Sequence, residues 1–518
     1  MAKIERTKNA ARNIIFGIML KIYNIAIPFI MRTAMLYLLG VQYLGLNSLF
    51  ASILQVLNLA ELGIGSAMVY SMYKPIVEDD KKKICALMKL YQLYYRIIGL
   101  IIAILGLILL PFIHKLISGD IPSDINIYIL YLLNLFSTVL SYWLFAYKNC
   151  LLDAHQRADI SSKISFFITT IQYGLQLIVL IYIKNYYVYL IVALFTQVMT
   201  NIITSIIVNK MYPQYKPKGK LDKKEIKIIN NRVRDLFTSK IGAVIVNTSD
   251  TIVISTFLGL NMLAIYQNYF FILNSIIMMV GIIFNSCVAG IGNSIIVETK
   301  EKNFNDLNKL TFIIGWIAGV CTCCLLCLYE PFMKIWVGQD YELGFNVVIC
   351  LCIYYFIYEV NQLLNTYKDA AGIWHEDRFR PLVTALANLG MNLGLVQFMG
   401  IYGVILSTVL STLIIGMPWL LHNLFTVLFE RKHLKIYVKK LILYIVITSL
   451  SCSITYFICA FIHLSNWWQL IVKGLICCLL PNIIFFIVYK KMPEFRQTVQ
   501  LADKVTKEKL SLERRILK

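Results

Sequence analysis

Charged residues are scarce in this chain. They make up 15% of its 518 residues, whereas 59% are hydrophobic and the mean hydropathy is +0.70. A soluble protein carries about 25% charged residues, so the composition excludes a soluble globular domain. The sequence also lacks the short alternating segments of an outer-membrane barrel. It therefore predicts an all-α integral membrane protein.

Long apolar stretches fill the chain almost from end to end. A helix that crosses a bilayer needs about 20 mostly apolar residues. Fourteen stretches meet this need: 13–39, 43–71, 86–117, 124–148, 161–183, 186–210, 236–258, 262–297, 309–333, 342–369, 381–398, 402–428, 436–462 and 467–489. The first is too long for a signal peptide and has no clear cleavage site, so it is predicted to be a retained helix.

Acidic residues are outnumbered, 28 against 49 basic ones, which gives a net charge of +21. Basic residues cluster after the even-numbered spans. The other loops are short and nearly free of positive charge: 118–123, 184–185, 259–261, 334–341, 399–401 and 463–466. The positive-inside rule then places both termini in the cytoplasm. Because the basic residues flank helices, membrane lipids are the expected partner rather than nucleic acid.

Cysteines are missing from the predicted outside loops, so no structural disulfide is expected. Cys321, Cys323, Cys324 and Cys327 cluster in the ninth span, where apolar surroundings favour packing over metal binding. The run His375-Glu-Asp is predicted to be a solvated cytoplasmic loop. The sequence also lacks a Ser/His/Asp set, a Walker loop or a metal motif. An enzyme is therefore disfavoured, and no cofactor is expected beyond a coupling ion.

Weak self-similarity relates the two halves of the chain at an offset of about 220 residues. The matched positions are Lys21 with Lys240, Leu39-Gly40 with Leu258-Gly259, Tyr147-Lys148 with Tyr367-Lys368, and His155 with His375. Six spans separate the copies, so the repeat is parallel, about an axis along the membrane normal. The predicted organisation is an N-lobe at 1–211, a basic linker at 212–235, a C-lobe at 236–430, two extra spans at 431–490 and a cytoplasmic tail at 491–518.

A few charged and polar residues interrupt the spans. A charge at membrane depth costs about 2.5–3.5 kcal/mol even on a lenient scale, so it usually faces a watery cavity or a partner. The candidate cavity cations and polar residues are Lys21, Arg32, Gln92, Arg96, Lys240, Asn247, Tyr355 and Gln362. The candidate carboxylates are Glu61, Asp250, Glu359 and Asp369. Together they predict a transport pathway.

Helical spacing places several of these candidates on shared helix faces. For some of them a purely structural role stays open as an alternative. Lys21 and Arg32 lie on one face of the first span, which Pro28 can kink. Lys21 and Lys240 could instead snorkel to the cytoplasmic surface. Glu61 could merely pair with a lysine or cap a break in its helix. The tenth span carries a polar stripe from Tyr355 through Glu359 and Gln362 to Asp369.

Several segments resemble bacterial polysaccharide-repeat flippases, the Wzx-like branch (polysaccharide transporter family) of the MATE-type, or MOP, exporter superfamily. They are Glu61-Leu-Gly-Ile-Gly-Ser-Ala, Leu151-Leu-Asp-Ala-His-Gln-Arg, Asn247-Thr-Ser-Asp-Thr-Ile-Val-Ile-Ser-Thr-Phe-Leu-Gly, and the stretch from Asn365 through Arg380-Pro-Leu to Gly400-Ile-Tyr-Gly-Val. The resemblance covers essentially the whole chain. It implies a MATE-like fold of 14 transmembrane helices, two six-helix lobes plus two extra helices, in a bacterial cytoplasmic membrane.

The resemblance also implies a function. A flippase of this kind moves an undecaprenyl-diphosphate-linked oligosaccharide from the inner to the outer leaflet by alternating access, and other polysaccharide assembly proteins are candidate partners. The cations would hold the diphosphate, tyrosines would stack on sugars, and the carboxylates would bind H⁺ or Na⁺ or pair with the cations. The alternatives are a lipid II-type flippase or a multidrug exporter. A polysaccharide polymerase or ligase is less favoured because the outside loops are short.

Overall fold

The computed structural model describes residues 6–505 except 62, 120, 463 and 465. The chain divides into two compact units, Met1–Ala264 and Ile265–Lys518. Within the described residues every regular element is helical, and no strand is present. The predicted all-α membrane fold is confirmed.

The first unit consists of helices of different lengths joined by turns and loops. Its described helices are α1 (Arg6–Leu38), α2 (Val41–Leu57), α3 (Ile64–Val77), α4 (Lys81–Leu109), α5 (Ile127–Trp143), α6 (Asn149–Ala154), α7 (Ala158–Ile178), α8 (Tyr186–Met211) and the first part of α9 (Lys223–Val297). A 3₁₀ turn at Asn58–Glu61 separates α2 from α3, and Gly63 before α3 has a left-handed backbone, with φ 88°. Glu61 therefore lies at a break in the second predicted span.

The second unit contains the rest of α9 and seven further helices in its described part. They are α10 (Lys300–Trp336), α11 (Phe345–Ala371), α12 (Arg380–Ser411), α13 (Met417–Val427), α14 (Arg431–Ala460), α15 (Asn466–Tyr489) and α16 (Pro493–Val505). A π-helical segment at Thr412–Gly416 links α12 to α13. These two helices form one continuous apolar stretch.

Nine helices of the described chain are long and apolar enough to cross a membrane, and one bent pair can add a tenth. Two of the nine, Lys240–Phe284 and Arg380–Val427, have 45 and 48 residues. At 1.5 Å per residue each measures about 70 Å, twice the thickness of a bilayer core. Each contains one non-helical residue, Gly259 or Gly400, inside a predicted outside loop. The count of fourteen spans stays a prediction, which these breaks support.

The predicted linker at 212–235 is not a single element. Residues 212–222 have no regular structure, and α9 begins at Lys223. The whole linker belongs to the first unit, which extends to Ala264. The lobe boundaries drawn from the repeat stay a prediction.

Gly259 occupies a position that only glycine tolerates. Its backbone angles are φ 85° and ψ 174°, a region that is essentially closed to residues with a Cβ atom. A Cβ there would also lie 2.7 Å from the carbonyl oxygen of Ser118. The neighbouring backbone is fixed by a hydrogen bond from the Ser118 N–H to the Ser255 carbonyl, at 3.0 Å. The break in α9 is therefore tied to the loop that follows α4.

We expect Gly259→Ala to lower the free energy of unfolding by about 1–3 kcal/mol, because alanine strains the backbone at this position. Thermal unfolding in detergent measures the change. Gly174→Ala is the matched control, since Gly174 lies inside α7 and a Cβ there meets nothing within 4 Å; it should be neutral or stabilising. Equal losses in both variants would contradict this account of Gly259.

The described part of the predicted tail is helix α16, which packs on the second unit. Phe495 and Val499 are buried in one apolar cluster with Phe312 of α10, Tyr444 of α14 and Tyr489 of α15. Aromatic side chains bury large areas and prefer the edge-on contacts seen here. The packing joins the two extra predicted spans to the ninth.

Candidate functional site

A cavity of about 720 Å³ opens within the first unit. Its aromatic lining is Tyr70, Tyr73, Tyr91, Tyr95 and Tyr142, and its polar lining is Glu61, Ser66, Ser141, Asn149, Asp153, Gln197 and Asn201. These side chains come from α3, α4, α5, α6, α8 and the turn at Glu61. Within the described residues the lining contains two carboxylates and no lysine or arginine.

Tyrosine hydroxyl groups hold the Glu61 carboxylate at the edge of this cavity. Tyr95 donates to Oε1 and Tyr142 donates to Oε2, each at 2.5 Å. Tyr91 in turn donates to the Tyr95 hydroxyl at 2.8 Å. Hydrogen bonds to an ionised carboxylate are short and contribute about 1.5–3 kcal/mol each. The break before α3 thus presents a carboxylate whose position is set by three tyrosines.

Only one face of helix α4 lines the cavity. Tyr91 and Tyr95 are four residues apart and share a face, and both are buried in the cavity wall. Gln92 and Arg96 lie one position further along, about 100° around the helix. Gln92 is half-buried and Arg96 is exposed, and neither belongs to the lining. Tyr91 and Tyr95, rather than Gln92 and Arg96, are therefore the α4 residues that line the site.

We expect Tyr95 and Glu61 to stabilise the structure as a pair. Tyr95→Phe should cost about 1–2 kcal/mol of unfolding free energy, because the carboxylate loses a donor. In a double-mutant cycle with Glu61→Gln, the coupling energy should reach about 1 kcal/mol. Tyr73→Phe is the control, since Tyr73 lines the same cavity but is 43% exposed. Additive effects of Tyr95→Phe and Glu61→Gln would contradict the pairing.

The predicted cations of the first unit lie outside the cavity lining. Lys21 and Arg32 are half-buried on α1. Lys240 is exposed near the start of the membrane part of α9. The side chain of Asn247 lies outside the described residues. The structure therefore does not gather these cations around Glu61.

Asp250 is buried in α9. Its side chain is 8% exposed, and Ser249 and Thr251 beside it are also buried. A charge removed from water needs a partner or a counter-ion. The role of Asp250 in ion coupling or in a salt bridge stays a prediction.

Glu359 is the most deeply buried candidate carboxylate of the second unit. It is 0% exposed on α11, and neither carboxylate oxygen has a hydrogen-bond partner among the described residues. Tyr355, one turn before it, is also 0% exposed, and Gln362 is half-buried. An ionised carboxylate in such a place costs several kcal/mol, so Glu359 needs neutralising to remain there.

Asp369 is the last residue of the predicted polar stripe, and its environment differs from that of Tyr355 and Glu359. It lies near the last residue of α11, its side chain is 53% exposed, and its carboxylate lies 3.0 Å from the Lys368 ammonium group. The Trp374 indole also donates to it, at 3.3 Å. The structure thus separates Asp369 from the buried pair of Tyr355 and Glu359.

A buried ionic network follows α11, where the sequence interpretation expected solvated loop charges. Asp377 is 2% exposed and Arg380 is 6% exposed. The Arg380 guanidinium donates to both carboxylate oxygens of Asp377, at 2.6 and 2.8 Å, and to Asn365 at 2.8 Å. Asn423 donates to Asp377 at 3.0 Å. The expectation for Asp377 was wrong, because helices distant in sequence close over this loop.

The cysteines are free thiols throughout the chain. The sulfur atoms of Cys327, Cys459 and Cys477 lie within 4.8 Å of one another, and all three residues are buried. Leu328 and Ile476 pack against them. Three thiols could supply three soft metal ligands. Cys327 is the only one of the three that belongs to the predicted cysteine cluster, and its packing role stays a prediction.

The fold belongs to a known class of membrane proteins. The chain has the fold of the MOP transporters, and it aligns with the lipid II flippase MurJ in its inward-closed conformation at a TM-score of 0.68 and 17% identity. That alignment covers 92% of this chain and 99% of MurJ. An inward-facing multidrug resistance MATE family transporter aligns at a TM-score of 0.59 and 14% identity, covering 81% of this chain and 96% of that one. No protein-family model and no curated protein sequence matches this chain.

Proposed function

We propose that this protein is a flippase. It moves an undecaprenyl-diphosphate-linked oligosaccharide from the inner to the outer leaflet of a bacterial cytoplasmic membrane, by alternating access and with H⁺ or Na⁺ as the coupling ion. The proposal is supported by the flippase-like motifs of the sequence and by a fold shared with a protein named as a lipid II flippase. Both termini are proposed to be cytoplasmic.

The observation that carries the proposal is that the chain offers separate polar and apolar binding volumes. The cavity of the first unit combines carboxylate, amide and hydroxyl groups with five tyrosines. Sugars need many hydrogen-bond partners for their hydroxyl groups and flat apolar surfaces for their ring faces. A lipid-linked oligosaccharide carries such a polar part and a long hydrocarbon part on one molecule.

The apolar volume lies in the second unit. A groove of about 560 Å³ is lined by α10, α11, α14 and the π-helical segment after α12, with Ile349, Ile353 and Phe356 on one side and Ile445 and Phe457 on another. Its walls offer few polar atoms, so it suits an isoprenoid chain better than a glycan or a charged drug. Helix α14 is one of the two extra spans.

The diphosphate is assigned to the cations of the first span. Lys21 and Arg32 lie on one face of α1, and arginine can hold phosphate oxygens through two parallel hydrogen bonds. These two residues are outside the lining of the Glu61 cavity, which leaves that cavity for the glycan. Arg96 and Lys240 are exposed and are further candidates for this role.

Ion coupling is assigned to the buried carboxylates. Glu359 has no hydrogen-bond partner among the described residues, and Asp250 is buried in its own span. Each can be neutralised by a proton or by Na⁺. If the ion binds one transport state more tightly than the other, its gradient drives the change between them.

A multidrug exporter is the second candidate function. The lining of the Glu61 cavity carries Glu61 and Asp153 without a lysine or arginine in the described part, and an anionic aromatic cavity suits lipophilic cations. The apolar groove favours the lipid-linked substrate, because a drug that leaves the membrane as a small cation has no need of it.

Deleting the gene in its native bacterium distinguishes these functions. The flippase proposal predicts that surface polysaccharide falls and that lipid-linked repeat units accumulate on the cytoplasmic side. Sensitivity to lipophilic cations should stay unchanged. Unchanged polysaccharide together with new drug sensitivity would overturn the proposal in favour of the exporter.

A further inference from the structure

A lysine-lined cleft lies in the first unit, on its predicted cytoplasmic face. It has a volume of about 740 Å³ and is walled by the start of α4 and by the linker that leads into α9. Five lysines line it: Lys81, Lys82, Lys83, Lys218 and Lys220. None of them belongs to the lining of the Glu61 cavity, so this is a second, separate site.

Specific contacts hold the linker against α4. The Lys83 ammonium group forms an ion pair with Glu225. Gly219 lies beside Ala86, where a Cβ added to the glycine would make an ordinary van der Waals contact of 3.5 Å with the alanine Cβ. The Cys85 thiol donates to the carbonyl of Gln214 at 3.8 Å. The cleft is thus a defined volume between two fixed walls.

The first turns of α9 also contact helices α3 and α4 of the first unit. The Arg232 guanidinium lies 4.5 Å from the centre of the Tyr70 ring, a cation–π contact. The Tyr94 hydroxyl donates to the Asn230 side chain at 2.6 Å. Because the linker is bound on both sides of residues 218–225, its lysines are held beside those of α4.

The charges in the cleft do not balance. Glu225 is engaged by Lys83, and Asp80 accepts the backbone N–H of Lys83 at 3.0 Å as the cap of α4. Asp222 is the third carboxylate of the described lining, so five lysines stand against three carboxylates. Four of the ammonium groups, those of Lys81, Lys82, Lys218 and Lys220, are exposed, and the lining keeps an excess of two positive charges. Holding like charges together is unfavourable, and a bound anion offsets that repulsion.

We infer that this cleft binds a phosphate-bearing ligand at the cytoplasmic face of the membrane. Lysine ammonium groups act as point charges that suit phosphate oxygens, and four of them around one volume match an anion of more than one charge. The volume admits a phospholipid headgroup or a free diphosphate. The inference is independent of the transported substrate, because it concerns a site outside both volumes assigned to transport.

The test compares two variants of the full-length protein in which the same number of lysines is neutralised. The cleft variant is Lys81→Gln, Lys82→Gln, Lys218→Gln and Lys220→Gln, and it keeps the Lys83–Glu225 pair. The control variant is Lys210→Gln, Lys216→Gln, Lys224→Gln and Lys227→Gln, at exposed positions of the same region outside the cleft lining. Both sets are exposed, so neither variant removes core packing.

Two binding measurements separate the possible sources of the phosphate. Inorganic pyrophosphate is titrated onto the protein in neutral detergent by calorimetry. In parallel, the protein is placed in phosphatidylcholine nanodiscs with and without phosphatidylglycerol, and hydrogen exchange is followed at residues 81–86 and 218–225. We expect at least one ligand to bind or to slow exchange there, the cleft variant to weaken this by at least about tenfold, and the control variant to retain it.

The two measurements either identify the bound ligand or overturn the inference. Pyrophosphate binding without a lipid effect identifies a soluble diphosphate, and the reverse pattern identifies a lipid headgroup. Binding should also weaken as salt rises. The inference is overturned if wild-type protein responds to neither ligand, or if the two variants lose binding equally, which would show general attraction to a basic surface. Exchange in the wild-type protein alone tests the site even if a variant misfolds.

Discussion

Asp377→Ala will lower the free energy of unfolding by about 3–5 kcal/mol, the usual cost of breaking a buried ion pair from one side. The change leaves the Arg380 guanidinium, which is 6% exposed, without the carboxylate that accepts two of its hydrogen bonds. Asn423 loses the nearer of its two acceptors and keeps the Glu376 carbonyl. Equilibrium unfolding in mixed detergent micelles measures the loss.

Asp369→Ala is the matched control for this prediction. Both aspartates contact Lys368, but the Asp369 side chain is 53% exposed and that of Asp377 is 2% exposed. A solvent-exposed ion pair contributes about 0–1 kcal/mol, so the control should cost no more than that. Removing Asp377 and Arg380 together should cost less than the sum of the single changes. Similar losses in Asp369→Ala and Asp377→Ala would show that burial does not set the strength of this network.

The proposed ion coupling predicts that Glu359→Gln abolishes the dependence of transport on the ion gradient. Glutamine keeps the size of the side chain but cannot bind and release a proton, and it binds Na⁺ more weakly than a carboxylate does. A coupling free energy of about 1–3 kcal/mol corresponds to a stimulation of roughly 5–150-fold, and this stimulation is what the variant should lose. Transport into proteoliposomes with an imposed H⁺ or Na⁺ gradient measures it.

Glu342→Gln is the control for this variant, because Glu342 is an exposed acidic residue outside the helices of the second unit. It should respond to the gradient like the unaltered protein. If Glu359→Gln also keeps the full stimulation, Glu359 is not the coupling group and Asp250 becomes the candidate to replace next. Asp250→Asn is then tested in the same assay.

The sequence predicts the all-α fold and the breaks at two outside loops because both depend on local properties. Apolar length and loop charge are readable along the chain, and the predicted outside loops 259–261 and 399–401 contain the breaks at Gly259 and Gly400. Both glycines have positive φ angles, which is why glycine stands there.

Side-chain environments are harder to predict because they depend on distant partners. Asp377 accepts a hydrogen bond from Asn423, and its partner Arg380 donates to Asn365; no local pattern connects either asparagine to this pair. The cavity around Glu61 is assembled from α3, α4, α5, α6 and α8. The sequence contains one local pattern at each site. Asp377 and Arg380 are three residues apart, and Tyr91 and Tyr95 are four apart. Neither spacing shows which face of the element is covered.

The linker at 212–235 is a second example of side chains whose surroundings depend on distant parts of the chain. Its lysines are visible in the sequence as a basic run, which is typical of a cytoplasmic loop beside anionic lipid. Only the structure shows that Lys218 and Lys220 share a cleft with Lys81 and Lys82. Charge counting along the chain therefore does not reveal this cleft, and the side of the membrane that it predicts stays a prediction.

Reconstitution of the purified protein in proteoliposomes tests the proposed function most directly. An undecaprenyl-diphosphate-linked oligosaccharide is placed in one leaflet, and the fraction that reaches the other is followed by the access of a membrane-impermeant lectin to its sugars. The flippase account predicts protein-dependent translocation that an ion gradient accelerates. It is contradicted if the glycolipid stays in its original leaflet while the same vesicles transport a lipophilic cation.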